Sequence, residues 1–196
     1  MALAALLAGG CDRPPALDRL AAGDTVLTFG DSLTHGTGAA PRQSYPARLA
    51  RLIDRPVVNA GVPGETSAGG ARRLPAVLEE VRPALVLLCH GGNDILRGMD
   101  LSAARQNLEA MVRMARAAGA DVVLIGVPRR SLLLRDTAEF YGEVAESMNI
   151  PLEDEALEDI LGDERLKSDA VHPNAAGYRR LARAVAELLE QAGALP

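Results

Sequence analysis

TVLTFGDSLTHG, residues 25–36, begins as an unbroken apolar run and then changes abruptly to glycines and polar residues. Apolar runs without polar alternation are typical of strands that are covered on both faces, as in a parallel sheet. Ser32 follows this run directly, between Asp31 and Leu33. The common hydrolase signature G-x-S-x-G is absent, because Leu33 and Thr34 follow the serine. Ser32 is therefore either a turn residue after a strand or a nucleophile that needs partners elsewhere in the chain.

Short apolar runs alternate with longer helical patterns through the rest of the chain. The predicted strands are 25–30, 57–60, 84–89 and 121–127, with a fifth around 150–152. The predicted helices are 44–53, 67–81, 101–119, 137–149 and 174–193. We expect Gly119 to end the third helix, Asn174 to cap the last, and Pro75 to kink the second or delay its start. This alternation predicts a doubly wound α/β layer fold with about five parallel strands.

Composition limits the classes of function. The chain has 196 residues, enough for one domain with a substantial core. A net charge of −5 argues against nucleic acid as a partner. Only 3% of the residues are aromatic and none is tryptophan, which argues against stacking platforms for bases or long sugar chains. The two cysteines, Cys11 and Cys89, form no disulfide framework. Cys89 closes an apolar run, so we expect a small buried residue there.

The N-terminal stretch MALAALLAGGC, residues 1–11, resembles the end of a secretory signal. Small residues directly before a cysteine are typical of bacterial lipoprotein processing sites, although Ala8 occupies the usual leucine position and no basic residues precede the stretch. We therefore expect residues 1–23 to be a signal-like segment and tether, with lipidation at Cys11, and residues 24–196 to be the catalytic domain. This predicts a periplasmic or membrane-anchored location, or a cytoplasmic one if the stretch is only an apolar N-terminus or a wrongly chosen start.

Polar residues follow the first three predicted strands. GDSLTHG follows the first, NAGVPG (59–64) the second and HGGND (90–94) the third. Ligands of doubly wound folds bind beyond the carboxyl ends of the strands. Ser32, Gly64, Asn93 and Asp94 are therefore expected to converge at one edge of the sheet.

His172 is the best candidate for the base that a serine nucleophile requires. Asp169 precedes it by three residues in SDAVHPNAAG (168–177), so its carboxylate can bind Nδ1–H of His172 while Nε2 points toward Ser32. His35 lies too close to Ser32 in the same turn, and His90 has no acid spaced to orient it. Both are expected to be structural or to lie at the pocket rim.

The oxyanion that forms during attack on a carbonyl needs hydrogen-bond donors. The candidates are the backbone N–H groups of Ser32 and Gly64 and the side-chain amide of Asn93. Asp31 and Asp94 are expected to brace their loops, because two acids without a third ligand make a poor cation site. The sequence thus predicts no metal. Arg72 and Arg73 are expected to form a solvated helix face.

These residues resemble the motifs of the SGNH subgroup of the GDSL hydrolases. FGDSLTHG, NAGVPGETS, GGND and DAVHP are similar to the four blocks of that family, in the same order. The resemblance covers essentially residues 24–193 and implies a three-layer α/β/α fold. It implies Ser32, Gly64, Asn93 and His172 at the site, Asp169 in support of His172, and no cofactor. The chain looks most similar to small bacterial thioesterases, lysophospholipases and arylesterases, and it departs from them mainly at Cys89-His90.

The resemblance implies a serine esterase that hydrolyses carboxylic esters or thioesters of short to medium acyl chains through an acyl-enzyme. Its partner would be a small-molecule or lipid ester. An O-acetyl esterase acting on envelope or other carbohydrate is an alternative on the same fold. A third alternative is an anchored binding module without activity, but such a module would usually have lost Ser32, Asp169 or His172, and all three are present.

Overall fold

The apolar runs form a five-stranded, entirely parallel sheet in the order β2-β1-β3-β4-β5. The computed structural model describes residues 13–129 and 137–196. The strands are β1 Val26–Gly30, β2 Val57–Gly61, β3 Leu85–Cys89, β4 Asp121–Ile125 and β5 Leu152–Glu153. β1 lies second in this order, and its Val26 pairs with Val57 of β2 on one side and with Leu85 of β3 on the other.

Helices cover both faces of this sheet. They are α1 Ser32–His35, α2 Tyr45–Ile53, α3 Ser67–Val81, α4 Gly92–Leu96, α5 Leu101–Ala117, α6 Phe140–Met148, α7 Ala156–Gly162 and α8 Ala175–Gln191, with short 3₁₀ turns at Pro41–Gln43 and Glu164–Leu166. Helix α2 packs on α8, which also contacts α7, while α5 packs between α3 and α6. The prediction of a three-layer α/β/α fold with a parallel sheet of about five strands is confirmed.

The strands differ in burial in a way that the apolar pattern did not predict. Every residue of β1 and β3 is buried. In β2, by contrast, Val58 is 37% exposed and no residue is fully buried. The expectation that this run is covered on both faces is therefore wrong. Among residues 13–129 and 137–196, β2 is an edge strand whose only hydrogen-bonded strand neighbour is β1, and an edge strand is less covered than a central one.

Capping residues lie at the ends of the helices largely as expected. Gly119 has a φ of +84° just after α5, a left-handed conformation that favours glycine. Asn174 caps α8, and its Oδ1 accepts hydrogen bonds from the N–H groups of Ala176 and Gly177. Helix α3 begins at Ser67 despite Pro75, so the expected late start is wrong. The proline ring lies on the exposed side of the helix.

Helix α7 was not predicted from the sequence. Its first turn carries Glu158 and Asp159, and the segment around it is strongly acidic. Three apolar residues nevertheless face the core, namely Ala156, Leu157 and Ile160. The helix forms because this short stripe packs against α8.

Part of the predicted tether packs against the domain. The N–H groups of Leu17 and Leu20 donate to the carbonyls of Ala192 and Ala194, each at 2.9 Å. The Leu20 side chain is buried in the core. The packed chain thus begins at or before Leu17. Cys11 lies outside the described residues, and within residues 13–129 and 137–196 no helix is long and apolar enough to cross a membrane.

Candidate active site

The turn between β1 and α1 places Ser32 at the first position of a one-turn helix. Asp31 caps this helix, because its Oδ1 accepts from the N–H of Leu33 at 3.0 Å. Gly30 is required just before it, since a Cβ there would lie 2.2 Å from Thr34 Oγ1. The serine is therefore presented at the carboxyl edge of the sheet by a tightly packed turn.

Ser32, His172 and Asp169 form a continuous hydrogen-bonded line. His172 Nε2 lies 2.9 Å from Ser32 Oγ, and His172 Nδ1 lies 2.7 Å from Asp169 Oδ2. Asp169 Oδ1 also accepts from the N–H groups of Val171 and His172, at 2.8 and 2.9 Å. These bonds fix the carboxylate and the imidazole in one loop, which is closed where Ser168 N–H donates to the His172 carbonyl.

The electrostatics of the line keep Asp169 charged. Burial acts to raise the pKa of Asp169, but the hydrogen bonds from Val171 and His172 outweigh it and lower the pKa below its usual value. An ionised carboxylate at Nδ1 orients the imidazole with Nε2 toward Ser32 and stabilises the imidazolium that a proton transfer would produce. The arrangement can therefore activate a serine hydroxyl.

Asp31 is a buried acid behind the serine. Its Oδ2 accepts from Asn93 Nδ2 at 3.1 Å, so it links the turn after β1 to the turn after β3. Burial raises the pKa of Asp31 above its usual value, while the hydrogen bonds from Leu33 and Asn93 and the nearby histidines act to lower it. Asp31 thus braces both turns.

The three predicted oxyanion donors differ in whether they already have a hydrogen-bond acceptor. Among the described residues, the backbone N–H groups of Ser32 and Gly64 have no acceptor. Gly64 is exposed, with a φ of +78°. The Asn93 amide, by contrast, donates to Asp31 Oδ2 and to the Glu65 carbonyl, both at 3.1 Å. Donation from Asn93 to an oxyanion therefore requires one of these two bonds to be shared or exchanged.

Asp94 connects α4 to α3. Its Oδ2 accepts from the N–H of Ser67 at 2.8 Å and its Oδ1 accepts from Ser67 Oγ at 2.7 Å. Asn107 Nδ2 donates to the same hydroxyl at 3.0 Å. Asp94 therefore braces α4, the short helix that carries Asn93, from a buried position.

A cleft of about 200 Å³ opens beside Ser32, and its walls are mostly apolar. It is lined by Asp31, Ser32, Leu33, Gly92, Asn93, Ile95, Leu96, Val127, Pro128, Leu161, Val171 and His172. Sequence reasoning missed the apolar members. Val127 and Pro128 could have been found, because Val127 ends a predicted strand and Pro128 directly follows it, whereas Leu161 belongs to the helix that was not predicted.

The other two histidines lie outside this line. His35 is exposed at the end of α1. His90 is fully buried, with its ring centroid 5.3 Å from that of Phe29.

Cys89 is fully buried, as expected, and burial raises the pKa of its thiol well above the usual value. In the described part of the chain, no group of three or more His, Cys, Asp or Glu side chains could hold a metal ion.

The arginine pair on α3 needs a correction. Arg72 is exposed, as expected. Arg73 is not part of a solvated face, because its guanidinium binds both carboxylate oxygens of Glu65 and lies 4.1 Å from the centroid of the Phe29 ring. The two residues point in different directions because successive helical positions are about 100° apart, so one meets solvent and the other meets the sheet.

Comparisons with known proteins agree with this architecture. Residues 28–180 match the GDSL-like Lipase/Acylhydrolase family. The chain is 39% identical over 190 residues to Esterase TesA of Pseudomonas aeruginosa, which covers 90% of this chain and 93% of that protein. It is 34% identical over 163 residues to thioesterase 1/protease 1/lysophospholipase L1 of Escherichia coli, covering 80% of this chain and 78% of that protein.

Solved structures show the same similarity. A crystal structure of TesA matches with a TM-score of 0.77 and 36% identity, over 86% of this chain and 99% of that chain. The psychrotrophic esterase EstA from Pseudoalteromonas sp., solved with monoethylphosphonate as inhibitor, matches with a TM-score of 0.75 and 28% identity, over 86% of this chain and 97% of that chain. The chain therefore belongs to the GDSL-like lipase/acylhydrolase family and is a serine esterase of that family.

Proposed function

We propose that this protein hydrolyses carboxylic esters and thioesters of short to medium acyl chains through an acyl-enzyme on Ser32. The observation that carries the proposal is the line from Asp169 through His172 to Ser32 Oγ at the wall of an apolar cleft. The names of the relatives support it, since they include an esterase, a thioesterase and an arylesterase.

The first half-reaction begins at the 2.9 Å contact between Ser32 Oγ and His172 Nε2. As Oγ attacks the carbonyl carbon, Nε2 takes the hydroxyl proton, and Asp169 stabilises the resulting imidazolium through Nδ1–H. The imidazolium then gives this proton to the departing alcohol or thiol. Water repeats the sequence on the acyl-enzyme, releases the carboxylic acid and restores Ser32.

The developing oxyanion is stabilised by neutral donors in this proposal. The N–H groups of Ser32 and Gly64 are free of acceptors among the described residues. The Asn93 amide contributes when the oxyanion exchanges with one of its two present acceptors. The exchange takes the N–H that now points to Asp31 Oδ2, so that the Glu65 carbonyl keeps the other one.

The apolar lining of the cleft favours an acyl chain as the group that binds there. Its apolar wall is contributed by Leu33, Ile95, Leu96, Val127, Pro128, Leu161 and Val171. Such a wall gains about 25 cal/mol for each Å² of apolar surface that an acyl chain buries. An acetyl group buries little of that surface, so the wall favours longer chains over an O-acetylated carbohydrate.

The test is a series of nitrophenyl esters from acetyl to dodecanoyl, run beside an acetylated xylan. We expect kcat/KM to rise from acetyl to a medium chain and then to fall, with no turnover by Ser32→Ala. An ethylphosphonate should label Ser32, whereas Ser147→Ala, at an exposed position on α6, should be labelled and active as the wild type. Preferred release of acetate from xylan would favour the O-acetyl esterase, and full activity of Ser32→Ala would refute the proposal.

We also propose, from the sequence alone, that the protein is anchored to a bacterial membrane through a lipidated Cys11. A processed cysteine with a diacylglyceryl group carries at least two acyl chains, which is enough for stable anchoring. Mass spectrometry of the native N-terminus after membrane fractionation tests this. An unmodified Met1 in the soluble fraction would refute the anchor and leave the esterase proposal unaffected.

A further inference from the structure

A cluster of charged and aromatic side chains lies beneath the loop of residues 62–66, which connects β2 to α3. Arg73 Nε donates to Glu65 Oε1 at 2.9 Å and Arg73 Nη2 donates to Oε2 at 2.6 Å. Nη2 also donates to the Ala60 carbonyl at 3.0 Å. His90 is fully buried, and its Nε2 lies 3.3 Å from Glu65 Oε2. The cluster thus ties the end of β2, the loop, α3 and the end of β3 together.

The surroundings of Glu65 favour its ionised form. Burial acts to raise the pKa of Glu65, but the neighbouring His90 and Arg73 outweigh it and lower the pKa to about 2. The Glu65 side chain is only 12% exposed. A bidentate arginine that also lies over an aromatic ring has a fixed geometry, unlike an ordinary surface ion pair.

The backbone of Glu65 connects this cluster to the proposed oxyanion site. Its carbonyl accepts a hydrogen bond from Asn93 Nδ2 at 3.1 Å. The only other acceptor of that amide among the described residues is Asp31 Oδ2. The position of the Glu65 carbonyl therefore sets the plane of the Asn93 amide, and the position of Glu65 is in turn set by Arg73.

We propose that Arg73 is a positioning residue for the esterase reaction, which holds Glu65 so that the Glu65 carbonyl orients the Asn93 amide toward the oxyanion. The inference rests on the proposed function. Arg73 and Glu65 do not line the cleft and touch no reacting atom. They act through the hydrogen bond between the Glu65 carbonyl and Asn93.

The first test compares Arg73→Met with Arg72→Met. Both variants remove one arginine from the same helix, but Arg72 is exposed. Because a misplaced donor loses most of its effect in the transition state, we expect Arg73→Met to lower kcat by roughly ten- to a hundredfold with KM within about twofold. Arg72→Met should leave both constants unchanged. An unchanged kcat in Arg73→Met would overturn the proposal.

A double-mutant cycle separates positioning from a merely structural role. If Arg73 acts through Asn93, Arg73→Met should lower kcat by less than about threefold in an Asn93→Ala background, because the group that it orients is already absent. A loss as large as in the wild-type background would show that Arg73 acts elsewhere and would overturn the proposal. Should Arg73→Met fail to fold, Glu65→Gln enters the same cycle, since it keeps the side-chain volume and removes the charge.

A spectroscopic measurement keeps the inference separate from the esterase proposal. In a ¹⁵N–¹H spectrum, the Asn93 side-chain amide pair is identified by its loss in Asn93→Ala. We expect Arg73→Met to shift this pair and Arg72→Met to leave it in place. An unshifted pair in a folded Arg73→Met protein would overturn the positioning role, whereas absence of ester hydrolysis by the wild type would refute only the proposed function.

Discussion

Asp169 accepts hydrogen bonds at both carboxylate oxygens, and the two oxygens do different things. Oδ1 holds the backbone N–H groups of Val171 and His172, which shapes the loop, while Oδ2 holds His172 Nδ1, which orients the imidazole. Removal of the whole side chain therefore disturbs the loop and the proposed base together. A substitution that keeps the backbone hydrogen bonds to Oδ1 and changes the bond to His172 Nδ1 separates the two effects.

Asp169→Asn is that substitution. Its carbonyl can keep the two backbone hydrogen bonds, but its NH₂ group donates to Nδ1. The imidazole proton then lies on Nε2, and Nε2 can no longer accept the proton of Ser32. We expect kcat to fall by about 10⁴-fold with an unchanged melting temperature, and His172→Ala to cost about as much as Ser32→Ala. Steady-state kinetics and thermal unfolding check this. A nearly active Asp169→Asn would refute the orienting role.

Asn93 is expected to act mainly in the transition state. Asn93→Ala removes one neutral donor, so kcat should fall by roughly 10²–10³ with little change in KM. The same variant leaves Asp31 Oδ2 and the Glu65 carbonyl without this donor, so its unfolding must be measured beside its kinetics. An increase in KM at constant kcat would place Asn93 in ground-state binding instead.

At the scale of elements, β5 ends in a buried acid with an unsatisfied oxygen. Glu153 Oε1 accepts from the N–H of Ala156 at 3.0 Å, while Oε2 is buried without a partner among the described residues. Burial raises the pKa of Glu153 to about 7, and the nearby Asp154 and Glu155 charges act in the same direction. The strand and the start of α7 thus contain a carboxyl group that opposes folding when it is ionised.

Glu153→Gln should stabilise the protein at high pH and have little effect at low pH. A raised folded-state pKa means that stability is lost as pH rises from about 4.5, where the unfolded group ionises, to about 7, and stays low above that. With about 1.4 kcal/mol for each pKa unit, the gain above pH 7 is at most roughly 3 kcal/mol. Urea unfolding at pH 4 and pH 8 measures it, and an equal effect at both values would refute the assignment.

Helix α3 packs closely on His90, and this packing requires a glycine. A Cβ on Gly70 would lie 2.5 Å from His90 Nε2, whereas a Cβ on Gly142 in α6 would meet nothing within 4 Å. We expect Gly70→Ala to lower the free energy of unfolding by roughly 1–3 kcal/mol through overpacking. Gly142→Ala should raise it by roughly 0.5–1 kcal/mol, because alanine is the better helix former. Equal effects of the two substitutions would contradict this packing.

At the scale of the whole molecule, the segment around Leu17 and Leu20 packs against the carboxyl-terminal residues, away from the cleft. Leu17 and Leu20 pair with the carboxyl-terminal residues after α8, and the Asp18 N–H donates to Oδ2 of Asp121, the first residue of β4. This contact therefore lies at the amino edge of the sheet. The cleft lies at the opposite, carboxyl edge, so stability and catalysis should be separable.

A chain that begins at Asp24 tests that separation against one that begins at Arg13. Loss of Leu20 burial and of two backbone hydrogen bonds should lower the free energy of unfolding by roughly 2–4 kcal/mol. The kcat and KM of the esterase reaction should stay the same in both chains. Equal stability would show that the segment contributes nothing to the fold, and a lower kcat would show that the two edges are coupled.

The sequence by itself determined the layers of the fold and the place where its informative residues meet. The unbroken apolar run 84–89 predicted a strand buried on both faces, which β3 is, and parallel strands bring GDSLTHG, NAGVPG and HGGND to one edge. The pairing of Asp169 with His172 was also predictable, because three residues of a tight loop set it. Such features depend on local periodicity and short spacing, which are visible in one sequence.

The tertiary structure alone decided the rest. The exposure of β2, the contact of Arg73 with Phe29 and the part of the cleft wall that Leu161 contributes each depend on residues that are distant in the chain. The same holds for α7, which forms against α8, and for the packing of Leu20. An arginine on a helix has the same sequence pattern whether it meets water or a buried carboxylate. Only the packing of α3 on the sheet distinguishes the two, because burial and pairing are properties of neighbours in space.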